Sequence, residues 1–183
     1  MQYEVEQKHR VVDERALFER LAERGVVVGP RVEQADQYFA HPARDFARTD
    51  EALRIRTAGD KCFVTYKGPK VDTATKTRRE LELPLHPKDE HGTRFAELLQ
   101  ALGFAPIAVV RKHRRPFQVT FENTRIEGAL DEVEGLGAFV ELELQADESH
   151  LEGAKRLISL LAGELALGPT ERRSYLEMLL NKT

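Results

Sequence analysis

Apolar and polar residues alternate with period two over several short stretches of this chain and with a helical period over others. The first strand closes at Val11-Val12. In it Tyr3, Val5 and Gln7 share one face and Glu4, Glu6 and Lys8 the other, because extended side chains repeat every second residue. Asp13 is placed to cap a helix over 14–24 with Leu17, Phe18 and Leu21 as its apolar stripe, and Gly25 stops it. Residues 26–39 read as a strand kinked at Gly29-Pro30 and broken by His41-Pro42-Ala43-Arg44-Asp45. Leu53-Arg54-Ile55-Arg56 puts apolar groups on one side and guanidinium groups on the other. Gly59-Asp60 turns the chain, and 61–67 returns with Lys61, Phe63, Thr65 and Lys67 opposite Cys62, Val64 and Tyr66.

The pattern continues over 77–85, where Arg78, Glu80 and Glu82 oppose Arg79, Leu81 and Leu83 until Pro84 and Pro87 end the strand. A helix over 91–102 follows, with Phe95, Leu98, Leu99 and Leu102 buried and Gly103 as its stop. In the second half, 107–114 is a strand with Val110, Lys112 and Arg114 on one side, and 117–121 alternates weakly. Glu122-Asn123-Thr124 turns into a strand over 125–133, and Gly135-Leu136-Gly137 turns into one over 139–144 that opposes Glu141 and Glu143 to Val140, Leu142 and Leu144. A helix over 149–167 carries Leu157, Ile158, Leu161 and Leu165, Gly168-Pro169 ends it, and a short helix spans 172–180.

About eight strands with amphipathic helices predict an α+β fold in one domain over 1–183: a closed eight-stranded antiparallel β-barrel with helices packed outside. The helices need an apolar surface. If they pack on the barrel exterior, the charged faces of the strands turn into the lumen. That lumen would hold Glu4, Glu6, Lys8, Arg54, Arg56, Lys67, Arg78, Glu80, Glu82, Lys112, Arg114, Asp131, Glu141 and Glu143. So many buried charges must be paired or bound to ligand and metal. The basic set suits a polyanion with several phosphates, and the acidic set suits Mg²⁺ or Mn²⁺. Together they point to metal-assisted chemistry on a triphosphate.

Composition narrows the partners. The chain has 28 basic and 31 acidic residues and a formal net charge of −3, so no global charge favours nucleic acid or a membrane surface. Cys62 is the sole cysteine, the N-terminal residues carry charge where a leader needs an apolar run, and no stretch reaches about 20 apolar residues. We therefore expect a soluble cytoplasmic protein, a monomer or a homodimer. The histidines lack metal-ligand spacing, and neither a G-x-x-x-x-G-K-[ST] loop nor a G-x-S-x-G turn is present. Tyr175 is read as a core tyrosine of the last helix in preference to a lid residue, and Tyr38 is read the same way until the resemblance given below brings its core and functional readings level.

The charged blocks also resemble a known family. Glu4-Val5-Glu6-Gln7-Lys8 matches the ExExK signature of the CYTH domain, or triphosphate tunnel metalloenzymes. It is followed in order by Gln34-Ala35-Asp36-Gln37-Tyr38-Phe39, Leu53-Arg54-Ile55-Arg56, Thr65-Tyr66-Lys67-Gly68-Pro69, Arg78-Arg79-Glu80-Leu81-Glu82, Lys112-His113-Arg114, Asp131 with residues 135–143, and Arg173-Ser174-Tyr175-Leu176. Residues 101–143 look closest to the class IV adenylyl cyclase (CyaB) branch. The resemblance implies a triphosphate tunnel in which Lys8, Arg54, Arg56, Lys67, Arg78, Lys112 and Arg114 bind the substrate. It implies Glu4, Glu6, Asp131, Glu141 and Glu143 on the metal side with Mg²⁺ or Mn²⁺, and Glu4, Glu6, Lys8, Lys67 and Glu141 as catalytic groups. Three functions stay open: a cyclase converting ATP to cyclic AMP and pyrophosphate; a triphosphatase acting on tripolyphosphate, thiamine triphosphate or a nucleoside triphosphate; and a non-catalytic polyphosphate-binding module.

Overall fold

The computed structural model describes residues 2–69, 78–86 and 89–182. The expected start of a strand at Thr77 and its stop at Pro87 lie outside them. In chain order the elements are β1 (Gln2–Arg10), α1 (Glu14–Glu23), β2 (Val32–Ala40), α2 (Phe46–Thr49), β3 (Ala52–Ala58), β4 (Lys61–Lys67) and β5 (Glu80–Pro84). There follow α3 (Thr93–Ala101), β6 (Ala105–Phe121), β7 (Thr124–Val133), β8 (Gly137–Asp147), α4 (Leu151–Glu164) and α5 (Tyr175–Leu180).

Local chemistry accounts for the boundaries. The carboxylate of Asp13 accepts the Ala16 amide and starts α1. Asp45, in the segment expected only to break a strand, accepts the Ala47 and Arg48 amides and caps the short α2. The strand expected over 26–39 forms only from Val32. Upstream, Gly29 donates to the carbonyl of Pro116 at 2.7 Å, an approach that a Cβ at Gly29 would spoil by lying 2.9 Å from that oxygen. The two strands expected over 107–114 and 117–121 are the single 17-residue β6. Pro116 sits past the last β2 pair, Val32 with Arg114, so the amide it lacks is not needed on that side.

All eight strands form one antiparallel sheet in the order β1-β8-β7-β6-β2-β3-β4-β5. The sheet curls strongly. Among the described residues its two ends meet at an isolated bridge between Glu4 of β1 and Arg78, just ahead of β5, where each amide donates to the other's carbonyl at 3.2 and 3.3 Å. Among the described residues the expected closed barrel is thus a curled half-barrel, with Glu4 and Arg78 bridging its seam. Further along the free edge of β1, the segment between α4 and α5 lies alongside it. His9 bridges Thr170, and the Glu171 amide donates to the Lys8 carbonyl at 2.6 Å.

Three helices take the convex side. Ile158 and Leu161 of α4 and Leu17 and Leu21 of α1 join Val5, Val140 and Leu142 in the largest buried cluster, and α3 packs Ala96 and Leu99 against Phe39 and Ile55. Phe117 belongs to the first cluster and lies against Gly128, where a Cβ would stand 2.2 Å from its ring. The fifth helix departs from the expectation that all helices pack outside. Through Tyr175 and Met178, α5 joins Tyr38, Val110, Val133 and Phe139 on the concave side. It goes there because Tyr38 and Val110 interrupt the charged faces of β2 and β6 and leave apolar surface inside. Among the described residues no helix is long and apolar enough to cross a membrane.

Candidate functional site

Strand alternation turns the charged faces inward. Arg54 and Arg56 point away from the α3 cluster that holds Ile55, and Glu141 and Glu143 point away from the α4 cluster that holds Val140 and Leu142. The concave face encloses a cavity of about 530 Å³. Glu4, Glu6, Lys8, Arg54, Arg56, Lys67, Arg78, Lys112, Arg114, Glu141 and Glu143 all line it, with Glu80 and Glu82 beside them. Most are deeply buried; Lys8 is 1% exposed and Lys112 3%.

Cross-strand register explains how so much charge is tolerated. Asp36 lies opposite Arg56, Lys8 opposite Glu141, Arg114 opposite Asp131 and Lys67 opposite Glu80, so most neighbours carry opposite charge. Asp36 accepts a two-pronged bond from Arg56, Nε to Oδ1 at 2.6 Å and Nη2 to Oδ2 at 2.7 Å, and a third from Arg54 at 3.2 Å. Burial alone would raise its pKa, but the two guanidinium groups hold the carboxyl well below the usual carboxylate range. Lys67 stands between Glu4, at 2.9 Å, and Glu80. Burial works against its charge, yet these two carboxylates raise its pKa overall.

On the opposite wall Asp131 gathers Lys112 at 2.8 Å, Arg114 at 2.7 and 2.6 Å, and the Tyr175 hydroxyl at 3.0 Å. Arg114 also pairs with Glu141. Burial first, and then the neighbouring Arg114, brings the Lys112 ammonium down to about 8. Asp131 is the exception among the expected site residues: it does not line the main cavity, and its carboxylate is taken up by three donors. In that placement it acts as a counter-ion that sets Lys112 and Arg114.

The remaining carboxylates stand mainly on β1 and β8. Glu6 faces Glu143 directly across the ladder. Burial and then the charge of Glu4, with Glu6 and Glu80 adding to it, push Glu143 up to about 8. Among the described residues no three carboxylate, imidazole or thiol groups form a ready cage for a metal ion. The donor chemistry nevertheless fits a hard divalent cation: oxygen donors of like charge are crowded together, and Mg²⁺ is typically held by one or two carboxylates plus substrate phosphates. Among the described residues Arg54 Nε and Arg78 Nε are buried without a hydrogen-bond partner, as groups that await an anion are.

Sequence reasoning assigned no role to Asp36, although its alternation with Gln34 and Tyr38 was a readable signal. Tyr175, read as core, is buried but also lines the cavity. The cavity also has an apolar lining. Phe39, Phe46, Leu53, Ile107, Leu176 and Leu180 contribute there, from strands and from α2 and α5.

The model of the CYTH domain family matches residues 2–175. A provisionally assigned adenylate cyclase of Methanocaldococcus jannaschii is 37% identical over 179 residues, 96% of this chain and 97% of that one. Adenylate cyclase CyaB of Aeromonas hydrophila is 29% identical over 185 residues, 94% of this chain and 86% of that one. Among solved structures, the PH1819 protein of Pyrococcus horikoshii superposes with a TM-score of 0.86 at 40% identity, covering 98% of this chain and 99% of the other.

Proposed function

This chain belongs to the CYTH domain family, and from that premise we propose that it is a divalent-metal-dependent enzyme acting on an organic triphosphate, as a CyaB-like class IV adenylyl cyclase that converts ATP to cyclic AMP and pyrophosphate. The observation that carries this reading is that the cavity is lined by apolar side chains as well as by cations. Its volume of about 530 Å³ falls within the roughly 300–1,000 Å³ usual for small-molecule sites. A cationic wall alone would suit an inorganic polyphosphate. The added apolar surface suits a head group such as a nucleoside. Similarity to the two cyclase-named relatives supports the same choice.

In this reading Lys8, Arg54, Arg56, Lys67, Arg78, Lys112 and Arg114 bind the triphosphate, and the curled sheet acts as a closed tunnel around it. Glu4, Glu6, Glu141 and Glu143 hold Mg²⁺ or Mn²⁺, which when bound neutralises phosphate oxygens and polarises the phosphorus centre. The chain's own cations do the positioning. Asp36 fixes Arg54 and Arg56, and Asp131 fixes Lys112 and Arg114, to a set geometry, so little reorganisation is needed as charge develops. The ribose 3′-OH attacks the α-phosphorus, its proton passes to the carboxylate wall, and the bond to the β-phosphate oxygen breaks. Lys8 and Lys67 then face the charge gathering on the departing pyrophosphate.

The phosphate-binding groups would serve a water nucleophile equally well, giving a triphosphatase. A side-by-side assay with ATP, tripolyphosphate and thiamine triphosphate, each with Mg²⁺ and with Mn²⁺, separates the readings. Cyclic AMP from ATP is the expected product. Phosphate released without cyclic AMP would replace the cyclase by a hydrolase, and binding without turnover would leave a polyphosphate-binding module.

A further inference from the structure

Tyr175 opens α5 and is buried. Its place is set by the backbone: Ser174 caps the helix in a reciprocal capping box with Glu177, and the preceding segment is tied to β1 at His9 and Lys8. Phe139 packs edge-on against the ring at 5.2 Å between centroids. Lys8 Nζ stands 4.0 Å from the ring centroid and Lys112 Nζ 5.1 Å from it. The hydroxyl donates to Asp131 Oδ2, the oxygen that also accepts from Lys112 and Arg114. Two lysines of the cavity therefore stand against the ring, and the hydroxyl shares Asp131 with Lys112 and Arg114.

The face of an aromatic ring is negative and attracts ammonium groups, most strongly where water is excluded. Such a face eases repulsion between two lysines without cancelling either charge. A carboxylate in the same place would neutralise them and compete with an incoming phosphate. Asp131 sits instead at the ring's far end, where the hydroxyl shares it.

We propose that Tyr175 is a positioning residue of the anion site: its ring face holds the ammonium groups of Lys8 and Lys112 side by side, and its hydroxyl steadies Asp131 beneath Lys112 and Arg114. This rests on the reading of the cavity as a phosphate site but not on which reaction occurs there. A core tyrosine would matter only for folding.

The test uses the full chain and metal-free tripolyphosphate as the probe, with calorimetric titration of the wild type, Tyr175→Phe and Tyr175→Leu, and a melting curve for each. Tyr175→Phe keeps the face and should bind within about threefold of the wild type. Tyr175→Leu should bind about tenfold more weakly, and with a turned-over substrate its defect should appear in KM more than in kcat. A folded Tyr175→Leu with wild-type affinity, or a Tyr175→Phe as impaired as Tyr175→Leu, overturns the proposal. If Tyr175→Leu does not fold, the wild type decides by NMR: the ε-methylene protons of Lys8 and Lys112 should be displaced upfield by the ring, and resonances at ordinary lysine positions overturn it. A wild type that binds tripolyphosphate but turns over no triphosphate removes the enzymatic reading and leaves this one standing, whereas no affinity for tripolyphosphate overturns both.

Discussion

Glu6 and Glu143 face each other directly across the β1–β8 ladder, two carboxylates at a register position where neighbouring pairs carry opposite charge. Like charges opposed in this way destabilise a sheet. Their juxtaposition costs stability unless a proton or a cation relieves it.

The relief by protons gives a pH dependence. Glu143 is pushed up to about 8 in the fold, by burial first and then by Glu4, from an ordinary value of 4.5. Between these values the folded state keeps a proton that the unfolded chain has lost, so stability falls as pH rises from 4.5 to 8 and then levels. Metal-free melting curves across this range should show the decline. Mg²⁺ or Mn²⁺ should raise the melting temperature most near pH 8, and Glu143→Gln should remove much of both effects. A melting temperature indifferent to metal at pH 8 would count against the cation role of this wall.

Asp36 is predicted to hold the fold together around its two arginines. Asp36→Ala leaves Arg54 and Arg56 buried without their carboxylate and should cost about 3–5 kcal/mol, read from urea denaturation. Arg56→Ala should lower stability as well as turnover, since it takes two of the three bonds from Asp36.

Arg78 should behave differently. Its Nε has no hydrogen-bond partner among the described residues, and its tie to Glu4 runs through the backbone, which a side-chain change preserves. Arg78→Ala should therefore raise KM for the triphosphate by about ten- to a hundredfold, the worth of a charge-assisted bond or two, with a small change in melting temperature. Equal losses in both would mark Arg78 as structural.

Gly128 is predicted to be replaceable only at a cost. A methyl group there would meet the Phe117 ring, and Gly128→Ala should lose about 1–3 kcal/mol through overpacking. Because the clash lies on the convex side, activity per folded molecule should be retained. A specific activity that falls with stability would show that the sheet transmits the strain.

The inward charges were legible because Glu4, Glu6 and Lys8, or Arg54 and Arg56, repeat at strand spacing opposite apolar residues that helices require. Which charge meets which was not. The pairings of Lys8 with Glu141 and of Arg114 with Asp131 depend on register between distant strands, and local pattern carries no register across such distances. Asp131 itself alternates like a lumen residue; only the convergence of Lys112, Arg114 and Tyr175 shows that it sits behind the wall. The inner position of α5 was hidden for a similar reason. A helical stripe states that one face is covered without stating by which side of the sheet.

The pairing of β1 with β8 also shapes how the molecule is made. In chain order β1 precedes its partner by more than a hundred residues, and the strap along its other edge comes later still. Until then the backbone of β1 must wait for its partner, so closing the sheet on this side is a late, long-range step, and refolding should be slow for a domain of this size.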